Sequence, residues 1–345
     1  MWIYWALFCV PAVASFSPWR LAPRSRLFMV AIAALTLILI IGLRDHIGID
    51  WANYEDKFHD YQVQSLFQIL LGPEPGFGLI NWISAQFGWG VYGVNFFSAV
   101  ILITGLTFFL IRQPNIWRCL ALAAPILLVQ MGMNLIRQAC AIGFICLALN
   151  AFVDRRLYRY ILFSVLAFTF HQTAIVFVPL AIMIRHSRTL IFPIIVPLAG
   201  VVLVIFLFRG VEFYRDTYIL QDLGGAAGGF PRIALNLIAL AVFAAFRNYW
   251  AKEYGEYRIF AILSIIILSV TPLFVFAQVA VDRLEYYFIP VQIAVISRTA
   301  GVLPPRIAVP FKLVMFAIYA AVMGAWFHFS WIAQLNWLPY RSLVF

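Results

Sequence analysis

Charge is what this chain has least of. Of 345 residues only 11% are Asp, Glu, Lys or Arg, against 64% hydrophobic, and the mean hydropathy is +0.95. That balance excludes a soluble globular protein and leaves an all-α, polytopic membrane protein, a single membrane domain over residues 1–345. Cysteine is scarce too. Cys9, Cys119, Cys140 and Cys146 all fall inside apolar runs and none has the spacing of a thiolate metal site, so they read as lipid-facing or core hydrophobes. The chain also lacks an internal repeat and any inverted pair of interrupted helices of the kind many secondary transporters carry.

Acids are fewer than cations, 14 against 24, and they are unevenly placed. Long apolar runs are separated by loops that alternate between Arg-rich and acid-rich. Putting the Arg-rich loops (Arg20–Arg26, Arg155–Arg159, Arg247–Arg258 and Arg298–Lys312) in the cytoplasm gives one consistent threading. The net charge of +10 is then a topology signal and not a nucleic-acid stripe. On this threading two thirds of the Lys and Arg lie inside, with only Asp154, Glu253, Glu256 and one histidine, His186. His46, His59, His171 and His328 lie outside with the other acids. No paired carboxylates remain inside to hold a metal-nucleotide complex, so a cytosolic nucleotide-sugar or ATP enzyme is excluded and chemistry is expected on the outer face. Ala12-Val13-Ala14 resembles a signal cleavage site, but Arg20, Arg24 and Arg26 follow the apolar core instead of preceding it, which orients the segment N-terminus out and retains it.

The apolar runs predict twelve helical passes, several shorter than the ~20 residues that cross a ~30 Å core. The stretch from Tyr158 to Ile184 is read as a short helical hairpin with His171 at its tip, since a single span there would put the later Arg-rich loops outside. Two outer loops are long, 44–90 and 209–229. The first contains an amphipathic helix around Asn53–Leu71, a break at Gly72-Pro73-Glu74-Pro75-Gly76, and an apolar piece, Phe77–Phe87, expected to lie in the interface or re-enter. Both termini and the loops of Asp50, Glu212 and Asp282 are expected outside.

The candidate chemistry sits on that face. Arg137, in Met133-Asn134-Leu135-Ile136-Arg137-Gln138, has no acid near it in sequence; an unpaired guanidinium there suits an anionic ligand such as a lipid-linked diphosphate, which Arg grips bidentately. The alternative is a structural pair with Asp50 or Glu74. Arg232 follows a glycine-rich loop and Pro231, an arrangement able to hold an anion or merely to snorkel. Asp282-Arg283, before Tyr286-Tyr287, forms either a salt-linked cap or a second phosphate clamp. Asp50 and Glu74 are carboxylates beside aromatics, suited to a sugar and to work as general base, with His171 a third candidate. Turn, capping or core roles are the plain alternatives for all three.

Read in order, Gly48-Ile49-Asp50…Tyr54, Glu74-Pro75-Gly76-Phe77…Asn81, Arg137-Gln138, His171-Gln172-Thr173-Ala174, Asp282-Arg283 and the tail Trp337-Leu338-Pro339-Tyr340 resemble the EpsG-like family of Wzy-type polysaccharide polymerases. The resemblance runs from about Arg44 to the C-terminus; where that family often has Gly-Thr-Asp-Tyr, this chain reads Gly48-Ile49-Asp50-Trp51. It implies a fold like the lipid-donor (GT-C-like) glycosyltransferases, and an enzyme of the bacterial inner membrane. That enzyme would join undecaprenyl-diphosphate-linked repeat units, donor and acceptor, on the periplasmic face, with a chain-length co-polymerase as a further partner.

The mechanism expected from these residues uses no cofactor and no metal. Arg137, Arg232 and Arg283 hold the donor diphosphate, supported by Gln138, Asp282 and Tyr286. Asp50, Glu74 or His171 deprotonates the acceptor hydroxyl, which attacks the anomeric carbon and inverts it. An O-antigen-type ligase would use the same donor, and a lipid-oligosaccharide transporter is the alternative of a different class.

Overall fold

Apolar runs this long satisfy their backbone only as helices once water is excluded. The computed structural model describes residues 1–17, 22–185, 229–275 and 278–344, and among these it is helical, with a lone β-bridge between Arg44 and Ser342. The expected pass Leu190–Phe208, the 209–229 loop with Glu212, and Gly224–Gly228 lie outside the described residues.

In chain order, α1 is Trp2–Ala14, α2 Pro23–Gly42, α3 Trp51–Gln62, α4 Leu66–Leu71, α5 Pro75–Gln86, α6 Gly90–Leu110, α7 Ile116–Ala123, α8 Ile136–Val153 and α9 Leu157–Phe170. They are followed by α10 Gly229–Ala245, α11 Arg247–Glu253, α12 Tyr257–Val270, α13 Gln278–Glu285, α14 Ile289–Val302, α15 Pro305–Phe329 and α16 Trp331–Trp337. Prolines stand at the first turns of α2, α5, α14 and α15, where the missing N–H costs nothing.

Among the described residues five helices are long and apolar enough to cross a membrane: Pro23–Gly42, Gly90–Leu110, Ile136–Val153, Tyr257–Val275 and Pro305–Phe329. A sixth is reached if α10 and α11, bent by 74°, are taken together. The bend falls at Phe246, where the apolar run ends and α11 brings in Arg247 and Lys252 while Trp250 stays buried as an anchor. The remaining apolar helices are short: α1, Ile116–Met131, α9 and Gln172–Ile184. The Tyr158–Ile184 stretch does turn at His171, where α9 stops and a 3-10 run, Gln172–Phe177, begins.

α6 and α8 form the centre. Gly105 and Gly143 face each other so closely that a Cβ on Gly143 would lie 2.6 Å from the Ile101 carbonyl, the approach that small residues permit between membrane helices. Gly143→Val is expected to force the two helices apart at a cost of about 1–3 kcal/mol. The check is the thermal midpoint of purified protein in detergent, which should fall clearly.

Helix α7 loses its register at Pro125, which has no N–H to donate, and continues as a π-helical run Ala124–Met131. The Val129 carbonyl, in the last turn of that run, accepts from the Trp337 indole at 3.2 Å. That bond is one of several tying both chain ends to one end of the bundle. Tyr4 donates to the Trp337 carbonyl, Gly48 to Asn336, Asp45 to Arg341 and Tyr340 to Ile40. Arg44, fully buried, closes the end of α2 by donating to Ile41, Ile47 and Asn95.

Candidate functional site

At this same end of the bundle the Gly48-Ile49-Asp50 turn enters α3. Gly48 sits at φ 104 with the Met133 carbonyl 2.5 Å from where a Cβ would be, so only glycine fits. The close approach lets Asn134 Oδ1 accept from the Asp50 backbone N–H at 3.0 Å. Asp50 is thereby fixed against the loop that starts α8, while its own carboxylate has no hydrogen-bond or ion-pair partner among the described residues. Burial raises its pKa, and the positive charges of Arg283 and Arg137 act the other way.

Glu74 occupies the N-cap position of α5 with Pro75 behind it, yet its side chain makes no capping bond. It turns instead to two partners. Arg137 Nη1 donates to Oε2 at 2.6 Å, and His171 Nδ1 lies 3.2 Å from Oε1. Burial alone would raise the Glu74 carboxyl, but the His171 hydrogen bond and the Arg137 charge together hold it below the ordinary carboxylate value. The expectation of an unpaired Arg137 is therefore corrected in favour of the alternative read from the sequence, a structural pair with Glu74. Its acid lies 63 residues away in sequence and was brought in by the packing of α5. The guanidinium also lies 5.9 Å from the Phe77 ring, and its Nε is buried without a partner, as is His171 Nε2.

Arg232 is likewise engaged. It donates from Nε to Asp282 at 2.7 Å and from Nη1 to Gln130 at 3.0 Å, and it lies 4.7 Å from the Tyr286 ring. Both ends of the pair are buried, so Asp282 is a salt-linked partner of Arg232 and not a cap of its own helix. Behind it, Asn236 donates to Glu285 at 2.5 Å and Thr271 donates to the other oxygen at 2.8 Å. Arg283, one residue on from Asp282, is half-buried and has no carboxylate partner among the described residues. Its carbonyl accepts from Gln138 Nε2 at 2.5 Å, and Thr173 meets the Tyr287 hydroxyl at 2.8 Å, so the Arg137-Gln138 and His171-Gln172-Thr173 segments both clamp the α13–α14 junction. The charges of Arg232, Asp282, Arg283 and Asp50 all act at the Tyr286 hydroxyl.

The fold thus gathers every candidate residue at one end of the bundle, and pairs most of them. Asp50 and Arg283 are the carboxylate and the guanidinium left open. Sequence reasoning gave no role to Tyr54, quoted only as part of a motif, which lies beside Arg137 and Asp50 on the buried face of α3. It also missed Glu285, three residues after Asp282 and so on the same helical face, a signal that spacing alone carried. Gln130 and Asn236 gave no such signal, being uncharged side chains within apolar runs. Among the described residues no three of His, Cys, Asp and Glu come together as a metal-holding group.

Residues 27–342 match the model of the EpsG family, nearly the whole chain, and the chain belongs to that family, which is a Wzy-like polymerase family. No curated protein and no solved structure matches it.

Proposed function

From membership of this family we propose that the chain is a membrane glycosyltransferase that polymerises undecaprenyl-diphosphate-linked oligosaccharide repeat units. It works on the outer face of the bacterial inner membrane, with twelve passes and the described site turned to the periplasm. The observation that carries the mechanism is the contrast at the site. Four charges are spent on each other, Glu74 with Arg137 and Asp282 with Arg232, while Asp50 and Arg283 act on each other across the site without a direct bond.

Asp50 is accordingly the general base. Burial makes it a stronger base than an ordinary carboxylate, whereas Glu74 is held ionised and hydrogen-bonded by its two partners and is a weaker one. The acceptor hydroxyl gives its proton to Asp50 as it attacks the anomeric carbon. The anomeric C–O bond breaks with inversion, and the diphosphate leaves with the electron pair. Arg283 neutralises that departing charge, assisted by Arg137 from within its Glu74 pair. Arg232 acts from behind by fixing Asp282 and with it the direction of Arg283. His171 holds Glu74 in place, and Gln138 and Tyr286 set the backbone and wall beside Arg283.

Protein cations, and not a bound divalent ion, balance the diphosphate in this scheme. Purified enzyme supplied with lipid-linked repeat units is expected to keep making polymer in EDTA. A loss on chelation that Mg²⁺ or Mn²⁺ restores would overturn it and turn Asp50 into a metal ligand.

A further inference from the structure

The depth of the site follows from helix register. α6 and α8 run side by side in the same direction. Cys140 Sγ reaches the Ser98 carbonyl at 3.8 Å, and Asn150 donates to Phe108 at 2.9 Å. Residue 140 is therefore level with residue 98, eight positions along α6 from Gly90, about 12 Å at ~1.5 Å per residue. α9 returns along α8 in the opposite direction, with ring contacts Phe152–Tyr160 at 5.9 Å and Phe144–Phe170 at 5.5 Å. Its end at Phe170 thus stops at the level of residues 140 to 144. Gly76 lies directly against Thr169 and Phe170, and at its other end α5 meets α6 where Ser84 donates to the Gly90 carbonyl. From Ser84 to Gly76, then, α5 descends beside α6. The Glu74-Pro75-Gly76 turn is carried about a third of the way down a helix that itself spans a ~30 Å core.

The two helices before that turn face different surroundings. From Tyr61 to Pro73 there is no charged residue, and Val63, Phe67 and Leu71 of this stretch are 80%, 71% and 72% exposed. Leu66 and Leu70 are exposed beside them, and Ile69 alone turns inward, against Gly78. On α3 the exposed residues are Ala52, Asn53, Asp56, His59, Asp60 and Gln62, with Tyr54 and Phe58 packed inward. An apolar surface of that size is stable in hydrocarbon, and carboxylates at the same depth are stable only against water.

We propose that α3–α5 is a re-entrant segment: α4 is immersed in the hydrocarbon of the outer leaflet, and the polar face of α3 walls an aqueous vestibule leading down to Glu74 and His171. The segment separates lipid from water beside the site, so a lipid-linked molecule can place its chain on the α4 side and its glycan on the α3 side. The placement of α4 rests on the membrane fold and not on the reaction proposed above.

The test uses full-length protein in proteoliposomes with Cys9→Ala, the other three cysteines being buried. Single cysteines are introduced as Phe67→Cys and Leu71→Cys on α4, and as Asp56→Cys and Asp60→Cys on α3. A sulfonated, membrane-impermeant maleimide should label the α4 positions at least about tenfold more slowly than the α3 positions. A bimane attached at Phe67→Cys or Leu71→Cys should be quenched by lipids brominated on the acyl chain. Equal labelling of the two sets, or no quenching on α4, overturns the proposal. Leu66→Cys and Leu70→Cys replace either α4 variant that fails to accumulate. Because the readout needs no turnover, it succeeds or fails separately from the polymerase assignment.

Discussion

Asp50→Asn is expected to abolish polymer while the protein still inserts and accumulates, with single lipid-linked repeat units building up in its place. The substitution keeps the shape of the turn, and the backbone bond to Asn134 does not involve the carboxylate. What it removes is the proton acceptor, a loss of about 10²–10⁴-fold in rate. The pH profile separates this from a structural effect. A base must be ionised, and burial sets the Asp50 pKa above the ordinary carboxylate value, so the rate should rise with pH through that raised value and level off above it. Glu74 is shifted the other way and titrates below this limb. The limb therefore belongs to Asp50, and any residual activity of Asp50→Asn should lack it. Normal polymer from Asp50→Asn, or an unchanged acid limb, would remove Asp50 from the mechanism and return the role to Glu74.

Arg283→Ala should be nearly as severe, at about 10²–10³-fold, the effect of removing one preorganised group that stabilises a developing charge. Stability should hardly change. Arg283 has no carboxylate partner among the described residues, and the bond that Gln138 makes goes to its main-chain oxygen, which alanine retains. Arg283→Lys, which keeps the charge and loses the two-pronged geometry, should fall between. Arg137 provides the contrast. Arg137→Ala strips Glu74, itself only 11% exposed, of its ion partner, so it should lower both the amount of folded protein and the rate. The measurement is the rate per folded molecule in a purified assay, with thermal midpoints alongside. Full activity of Arg283→Ala, with an inactive but stable Arg137→Ala, would move the diphosphate grip to Arg137.

The contrast between those two arginines marks the limit of sequence reading here. Arg137 stands alone in sequence because its acid is supplied at the start of α5, three helices earlier, and Arg232 meets Asp282 from 50 residues away. Ion pairs between elements are invisible to spacing rules, which see only one turn of a helix in either direction. The positions of the motif residues were nonetheless legible. Gly48 is dictated by a left-handed turn pressed against a carbonyl, and the Pro75 that opens α5 places Glu74 at its mouth. The hairpin turn at His171 could be read from charge alone, since any other threading put the Arg-rich loops on the wrong side.

By itself, then, the sequence determined an all-helical membrane chain and the family to which it belongs. Hydropathy leaves no other backbone solution in lipid, and short motifs in a fixed order survive without knowledge of contacts. Only the tertiary structure decided which charges are spent and which are free. Pairing depends on how deep each helix end sits against its neighbours, and that depth is set by packing such as Gly105 on Gly143 and Gly76 on Phe170, where the absence of a side chain is what brings the partners within reach.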